Sequence, residues 1–449
     1  MTLIVQKLKS LGRRFLDKQS RILIKNSSWV FLENLIRTVL NFTRAIIIAR
    51  ILGAELYGTF AMIVALCMTT QEFFNFNLGT TVVKFGAEFK ADKRIDHLTI
   101  IVKGAAYLTL ITAFISIIVV TFLTIFFYDT FIKKPGLSIF VIGYAIAWST
   151  YYFDYISSSV LRLFFRFKLN SIIRIIMSVI EFIFIITALI IFKRNLTAFF
   201  FAVIFARLLN SLIINIVAYF EFKDDLKPET KFKFSELKHK WKLIRNFTIN
   251  NSLSRTVFNV INQGDVLLVG ILTGAVQAGY YAIAKKLAYS ILRLSNPLTN
   301  AIFPQLSQLI AENKTKEIKM MIVKFVRIFS IPSIISLGVV FMFRKEIINL
   351  IFGQEYLPAS DIFFVLMIVS VVMALSFWNL PLIQSIGKVG LRLITYILAL
   401  IIGIVASLFL YSPFGATGIA YAVLISFLFI NITFSTINFR FLNIGESDK

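Results

Sequence analysis

One cysteine, Cys67, and two histidines, His97 and His239, are the whole supply of thiol and imidazole in 449 residues. A disulfide within the chain is excluded, and no Cys/His metal cluster can be assembled. Charge is scarce as well: Asp, Glu, Lys and Arg make up 16% of the chain, where globular chains carry roughly 25%. Acids are scarcer than bases, 23 against 47, which leaves a net charge of +24. In a soluble protein that excess would point to nucleic acid. Here the hydrophobic share of 58% and a mean hydropathy of +0.82 exclude a soluble protein of this length.

What is present is apolar sequence in membrane-length runs. Crossing a ~30 Å hydrocarbon core takes about 20 predominantly apolar residues. Such runs fall at 26–49, 57–80, 103–128, 136–161, 170–192 and 197–221, then at 243–271, 276–305, 322–344, 359–387, 389–411 and 415–439. The reading is an all-α integral membrane protein of about twelve spans. It divides into a six-helix bundle at 1–221, a basic linker at 222–242 and a second six-helix bundle at 243–449. Of the 47 basic residues, 33 fall on one set of alternate loops and termini. Lys and Arg collect in cytoplasmic loops, so this side is expected to be cytoplasmic, with both termini on it; the membrane is expected to be a bacterial inner membrane. Residues 1–25 have no apolar signal core. Ile4, Leu8, Leu11 and Phe15 instead recur at helical spacing opposite a basic face, as in an amphipathic helix lying on the membrane surface.

The two halves echo each other. Arg37-Thr38-Val39-Leu40-Asn41 is matched by Arg255-Thr256-Val257-Phe258-Asn259, and Gly53 through Gly58-Thr59-Phe60-Ala61 by Gly274 through Gly279-Tyr280-Tyr281-Ala282. Six spans per half is an even number, so both halves enter the membrane in the same direction. The expectation is a parallel repeat about the membrane normal, with a substrate site between the halves.

Charges inside the spans are the chemistry-bearing feature. Seven are basic, Arg37, Arg44, Arg207, Arg255, Lys285, Lys286 and Arg293, and five acidic, Glu33, Glu72, Asp154, Glu181 and Asp265. At roughly 2.5–3.5 kcal/mol each their nominal insertion cost is on the order of 30 kcal/mol. One reading is structural: Glu33 pairs with Arg37, Glu181 with Arg207, and Asp154 with Arg174. The other is functional: Arg37, Arg44, Arg255, Lys285, Lys286 and Arg293 line a water-filled cationic cavity that selects a phosphate-bearing anion. Asn259, Asn262, Tyr281, Tyr289 and Asn300 lie on the same stripes and are candidate glycan contacts. Glu72 and Asp265 are candidate ion-coupling carboxylates, because a partly desolvated carboxyl group exchanges protons nearer neutrality.

Short spaced motifs complete the picture. Arg50-Ile51-Leu52-Gly53 with Tyr57-Gly58-Thr59-Phe60, Leu78-Gly79-Thr80 with Phe85 and Glu88, Asp265 with Leu267-Leu268-Val269-Gly270, and Phe303-Pro304-Gln305-Leu306 run in order. Leu350-Ile351-Phe352-Gly353-Gln354-Glu355-Tyr356 with Pro358-Ala359, and Gly415-Ala416-Thr417-Gly418-Ile419-Ala420, follow. Together they resemble the polysaccharide-transporter branch of the multidrug/oligosaccharidyl-lipid/polysaccharide (MOP) exporter superfamily, the Wzx-type O-antigen flippases in particular. The resemblance implies a V-shaped central cavity, alternating access and an undecaprenyl-pyrophosphate-linked oligosaccharide as cargo. It implies no cofactor, metal or catalytic residue. Membrane lipids are the surroundings, and a coupling ion (H+ or Na+) and other polysaccharide-assembly proteins are further candidate partners; nucleic acid is not. Twelve spans rather than fourteen argue against a lipid II flippase. Two rivals remain: a drug/cation antiporter of the same superfamily, which would want an acidic cavity, and a membrane-embedded glycan polymerase or ligase, which would want a large external loop. The longest external loop, 345–358, is short.

Overall fold

The computed structural model describes residues 18–132, 136–193, 195–223, 238–290 and 292–447. Within these, the side chains of 18–27, 238, 239, 251, 293–301, 304, 389 and 444–447 are outside the described set. The expected amphipathic segment and most of the linker lie outside it too. Without water in a hydrocarbon core, each backbone N–H and C=O must be satisfied within its own segment. The described residues accordingly form helices almost throughout: α1 Lys18–Glu72, α2 Leu78–Ala91, α3 Ile95–Phe131, α4 Ser138–Ser149, α5 Tyr151–Leu163, α6 Phe167–Phe192 and α7 Leu196–Phe222 in the first half. The second half holds α8 Lys238–Thr273, α9 Ala275–Ser290, α10 Leu292–Ala311, α11 Thr315–Phe352, α12 Ala359–Leu375, α13 Asn379–Ser385 and α14 Val389–Ser447.

Twelve passages result. Eight stretches are long and apolar enough to cross a membrane by themselves. Two of them, within α1 and α14, fold back on themselves at Gly53 (φ 78°) and Gly415 (φ 56°) and count twice. Of the remaining two passages, one is broken in mid-course, α4 from α5, and the other is made of α9 and α10, on either side of residue 291. The segment 81–103, expected as a basic loop, is mostly helical: α2 buries Val82, Phe85 and Phe89.

The apolar core is joined at one end and divided at the other. A single apolar cluster joins both halves at the end away from the basic loops, taking in Leu52, Tyr57 and Ile63 with Ala278, Tyr281, Ile348 and Tyr356. Toward the basic end it divides. Leu78, Val82, Ile156 and Leu161 form one cluster of the first half, and Ile302, Leu306, Ile318 and Trp378 a separate one of the second. On one side the division is bridged, where Ile244 and Phe247 of α8 meet Phe85 and Phe89 of α2. The outward faces stay apolar, as Phe114, Ile118, Phe122 and Ile125 of α3 show, and such a face is stable against lipid rather than water.

The repeat is visible in the packing. A Cβ on Gly58 would stand 1.8 Å from the Ala275 carbonyl oxygen, and one on Gly279 would stand 2.2 Å from that of Ala54. These contacts are reciprocal: Ala54-x3-Gly58 lies against Ala275-x3-Gly279, and only missing side chains let the backbones approach so closely.

Around this crossing the two halves are tied at the end away from the basic loops. Arg50 Nε donates to the Ile351 carbonyl at 2.8 Å and Nη2 to that of Leu350 at 2.5 Å. The Ala54 N–H donates to Glu355 Oε1 at 2.7 Å, and the Tyr356 hydroxyl to the Ala49 carbonyl at 2.9 Å. The 350–356 motif therefore clasps the first turn of the other half.

Candidate functional site

The intramembrane charges sort into three places. The first is internal to the first half. Glu33 accepts from Arg37 at 3.2 Å and from Ser171 at 3.0 Å, with Arg174 at 3.9 Å. Asp154 accepts from Arg207 at 2.7 Å, Ser211 at 2.5 Å and Asn215 at 3.1 Å. Arg44 pairs with Glu181 and donates to Asn41 at 2.7 Å. The Glu33–Arg37 pair stands as expected, and the other two pairings are exchanged. Glu181 takes Arg44 in place of Arg207, and Asp154 takes Arg207 in place of Arg174. Arg174 turns instead to Ser158 at 2.5 Å and toward Glu33. The reason is rotation: Glu181 on α6 faces α1, a neighbour that helical spacing along α6 does not reveal.

The second place is internal to the second half. Lys285 on α9 reaches both oxygens of Asp265 on α8 at 2.6 Å and also the Asn262 carbonyl. Tyr281, fully buried, donates to Asp265 Oδ2 at 2.9 Å. Lys285 also stands 5.2 Å from the Tyr289 ring centre. The Tyr289 hydroxyl is buried with no hydrogen-bond partner among the described residues. Asn262 spends its amide on the Phe258 carbonyl at 2.9 Å.

The third place joins the halves. Glu72, at the end of α1, accepts from Asn259 of α8 at 2.6 Å and from Asn75 at 3.4 Å. Thr256 donates to the Glu72 carbonyl at 3.1 Å. One turn along α8, the guanidinium of Arg255 lies 5.9 Å from the ring centre of Tyr155 on α5, whose hydroxyl meets Thr80 of α2 at 3.1 Å. Arg255 makes no ion pair within 4 Å among the described residues, and its side chain is half-buried. A guanidinium seated on an aromatic face keeps its donors for another acceptor.

Of the residues singled out in the sequence, Glu72, Arg255 and Asn259 are thus brought together across the interface. Arg37 and Arg44 belong to the first half's network, and Lys285, Asn262, Tyr281 and Tyr289 to the second half's. Lys286 is half-buried on α9; the side chains of Arg293 and Asn300 lie outside the described residues. Sequence reasoning missed Tyr155 and Thr80. The polar run Tyr151-Tyr152-Phe153-Asp154-Tyr155 inside a span was the available signal. Arg392, at the start of the span expected at 389–411 and not among the charges singled out, is buried, its Nε without a partner among the described residues.

The same arrangement can be compared with known proteins. The family model described as polysaccharide biosynthesis protein matches residues 23–310. A probable low-salt glycan biosynthesis flippase of Haloferax volcanii, Agl15, is 23% identical over 188 residues, 40% of this chain and 40% of that one. Among solved structures, a multidrug resistance MATE family transporter of the MOP superfamily in an inward-facing conformation aligns with TM-score 0.70 at 14% identity, over 92% of this chain and 96% of that one. The lipid II flippase MurJ, in an inward closed conformation, aligns with TM-score 0.66 at 14% identity, over 94% and 92%.

Proposed function

The chain belongs to the polysaccharide biosynthesis protein family, and on that footing we propose that it flips a polyprenyl-pyrophosphate-linked oligosaccharide from the cytoplasmic to the outer leaflet, by alternating access, for cell-surface polysaccharide. The observation that carries the reading is the interface cluster: a free-handed arginine, an amide and a tyrosine between two halves whose cores part toward the basic end.

Each feature has a part in such a cycle. The basic end, by its loop charge, is the cytoplasmic end, and both termini lie on that cytoplasmic side of a bacterial inner membrane. The cores are separate there except where α8 meets α2, with Thr81 on Thr248 at 2.9 Å and Lys240 on Glu88 at 3.1 Å, so spreading turns about that contact while the 350–356 clasp holds the opposite end shut. Arg255 offers bidentate donors to phosphate oxygens. Asn259 offers its amide to sugar beside its bond to Glu72, and Tyr155, with Arg255 and Arg162 against its ring, positions the guanidinium. Rocking of the halves about the Gly58–Gly279 crossing would close the basic end and release the clasp. Glu72 is the better-placed coupling carboxylate for H+ or Na+, since it sits at the interface on neutral amides. Asp265 is already held by Lys285. Binding at the cytoplasmic end requires no covalent step, so the chain acts as a transporter and not an enzyme. A drug/cation antiporter has the same fold on its side, but it would have to seat an organic cation beside the Arg255 guanidinium.

The test uses a strain in which the chain is the sole flippase for its glycan. Arg255→Ala should abolish or sharply reduce appearance of the glycan outside, and the lipid-linked precursor should accumulate on the cytoplasmic face at unchanged membrane abundance of the protein. Arg255→Lys should keep part of the activity, because charge is retained and the planar fork is lost. Full activity in Arg255→Ala would overturn the assignment.

A further inference from the structure

Two concavities at the basic end of the second half are not part of the interface. One, of about 630 Å³, lies along α11 and is lined by Lys319, Lys324 and Arg327 together with Ile328 and Ile331. Its neighbour, of about 470 Å³, lies along α14 and is lined by Asn431, Ser435, Thr436, Arg440 and Asn443. A hydrogen bond of 2.8 Å from Lys319 Nζ to Asn443 Oδ1 joins the two.

The charge is unbalanced. No acid lines either concavity among the described residues. The acids just before them are engaged elsewhere: Lys314 holds Glu312 at 2.8 Å and Glu317 at 3.8 Å, and that contact draws the Glu312 carboxyl below its usual range. Lys324 and Arg327 are exposed and make no ion pair among the described residues. Along the same helix the cations give way within a turn to exposed apolar side chains, Ile328, Ile331, Ile334 and Ile335. That order, cations at the end and apolar surface deeper, is the order of an anionic lipid: phosphate first, acyl chain below. On the α14 side, Ser435 is turned to Asn379 at 3.0 Å, but the Asn443 amide nitrogen and the lone pairs of Thr436, whose hydroxyl donates to the Ile432 carbonyl at 2.8 Å, suit a polyhydroxylated headgroup, with Arg440 as a further cation.

We infer that this paired surface of α11 and α14 is a binding site for an anionic phospholipid with a hydroxyl-bearing headgroup, of the phosphatidylglycerol type, taken from the leaflet at the basic end. Basic pockets at that level recognise lipid phosphate through charge and hydrogen bonds together. The site stands apart from Arg255 and Glu72 and does not depend on what the interface carries. Its occupant holds α11 and α14 together at their ends, where Lys319 and Asn443 already touch.

The experiment uses the full chain purified in a neutral detergent. Its thermal unfolding is followed with added phosphatidylglycerol, phosphatidylcholine or sugar-free polyprenyl pyrophosphate, and co-purifying lipid is counted by native mass spectrometry. Phosphatidylglycerol should raise the melting temperature and remain bound, and phosphatidylcholine should do neither. In K324Q/R327Q the lipid-free melting temperature should be unchanged, since both side chains are exposed and unpaired, and the phosphatidylglycerol shift and retained lipid should be lost. An equal shift with phosphatidylcholine, or an undiminished one in the double variant, overturns the site. A shift given by polyprenyl pyrophosphate and not by phosphatidylglycerol would mean that the surface takes cargo instead, and refutes the inference as well.

Discussion

Removing the carboxylate of Asp265 tests which buried cations are held and which are free. Lys285 Nζ stands 2.6 Å from both its oxygens, with the two side chains 12% and 3% exposed. Asp265→Asn leaves the ammonium with the Asn262 carbonyl and one neutral amide oxygen, deep inside the second half. Breaking a buried pair by removing one partner costs about 3–5 kcal/mol. That is a large part of the 5–15 kcal/mol typical of whole proteins. Lys285→Met should cost less, because the stranded carboxylate keeps Tyr281 at 2.9 Å and the Val266 N–H at 2.7 Å. The double variant, Asp265→Asn with Lys285→Met, removes both charges and should recover more than half of the loss in Asp265→Asn. Arg255→Ala forfeits a ring contact worth roughly 0.5–2 kcal/mol and leaves Glu72, which Arg255 touches only through charge from beyond ion-pair distance, on its amide donors Asn259 and Asn75. Fluorescence-detected size exclusion after heating solubilised protein reads all four variants beside the parent. Asp265→Asn should lose folded protein at the lowest temperature and Arg255→Ala near the parent's. If Asp265→Asn melts with the parent, or if Arg255→Ala falls as far and Asp265→Asn rescues it, the division into held and free cations is wrong.

The clasp makes a second prediction. Glu355→Ala removes a charged acceptor from the Ala54 N–H, a bond worth about 1.5–3 kcal/mol. The halves should part more often at that end, and spin labels at Ile139 and Leu350 should show a new, longer distance. An unchanged distance distribution would mean that the crossing at Gly58 and Gly279 alone holds the halves. Topology supplies a third. With Cys67 replaced, single cysteines at Lys193 and Lys345 should label from outside intact cells and one at Lys316 should not; labelling at Lys316 would reverse the orientation inferred from loop charge.

Much of this protein is decided by sums along the chain. Hydropathy over windows of about 20 residues set the membrane class and the twelve passages, because a bilayer acts on each segment separately. An even number of spans per half, with Gly53 repeated as Gly274, set the parallel repeat, and Gly58 and Gly279 stood as matched positions in it; that they cross each other came from the packing. Which positions carry charge inside the membrane was also legible. How those charges meet was not. Spacing on a helix gives angles about that helix's own axis, so the Glu33–Arg37 pair, one turn apart, could be read directly. Pairs between helices depend on how each neighbour is turned and how deep it sits. That is why Glu181 meets Arg44, Asp154 meets Arg207, and Lys285 crosses to Asp265. It is also why Arg392, near a predicted span edge, is buried. Packing of the two halves against each other left Arg255 on a tyrosine ring with its donors unspent, and that depends on side chains from both halves, which no single segment contains.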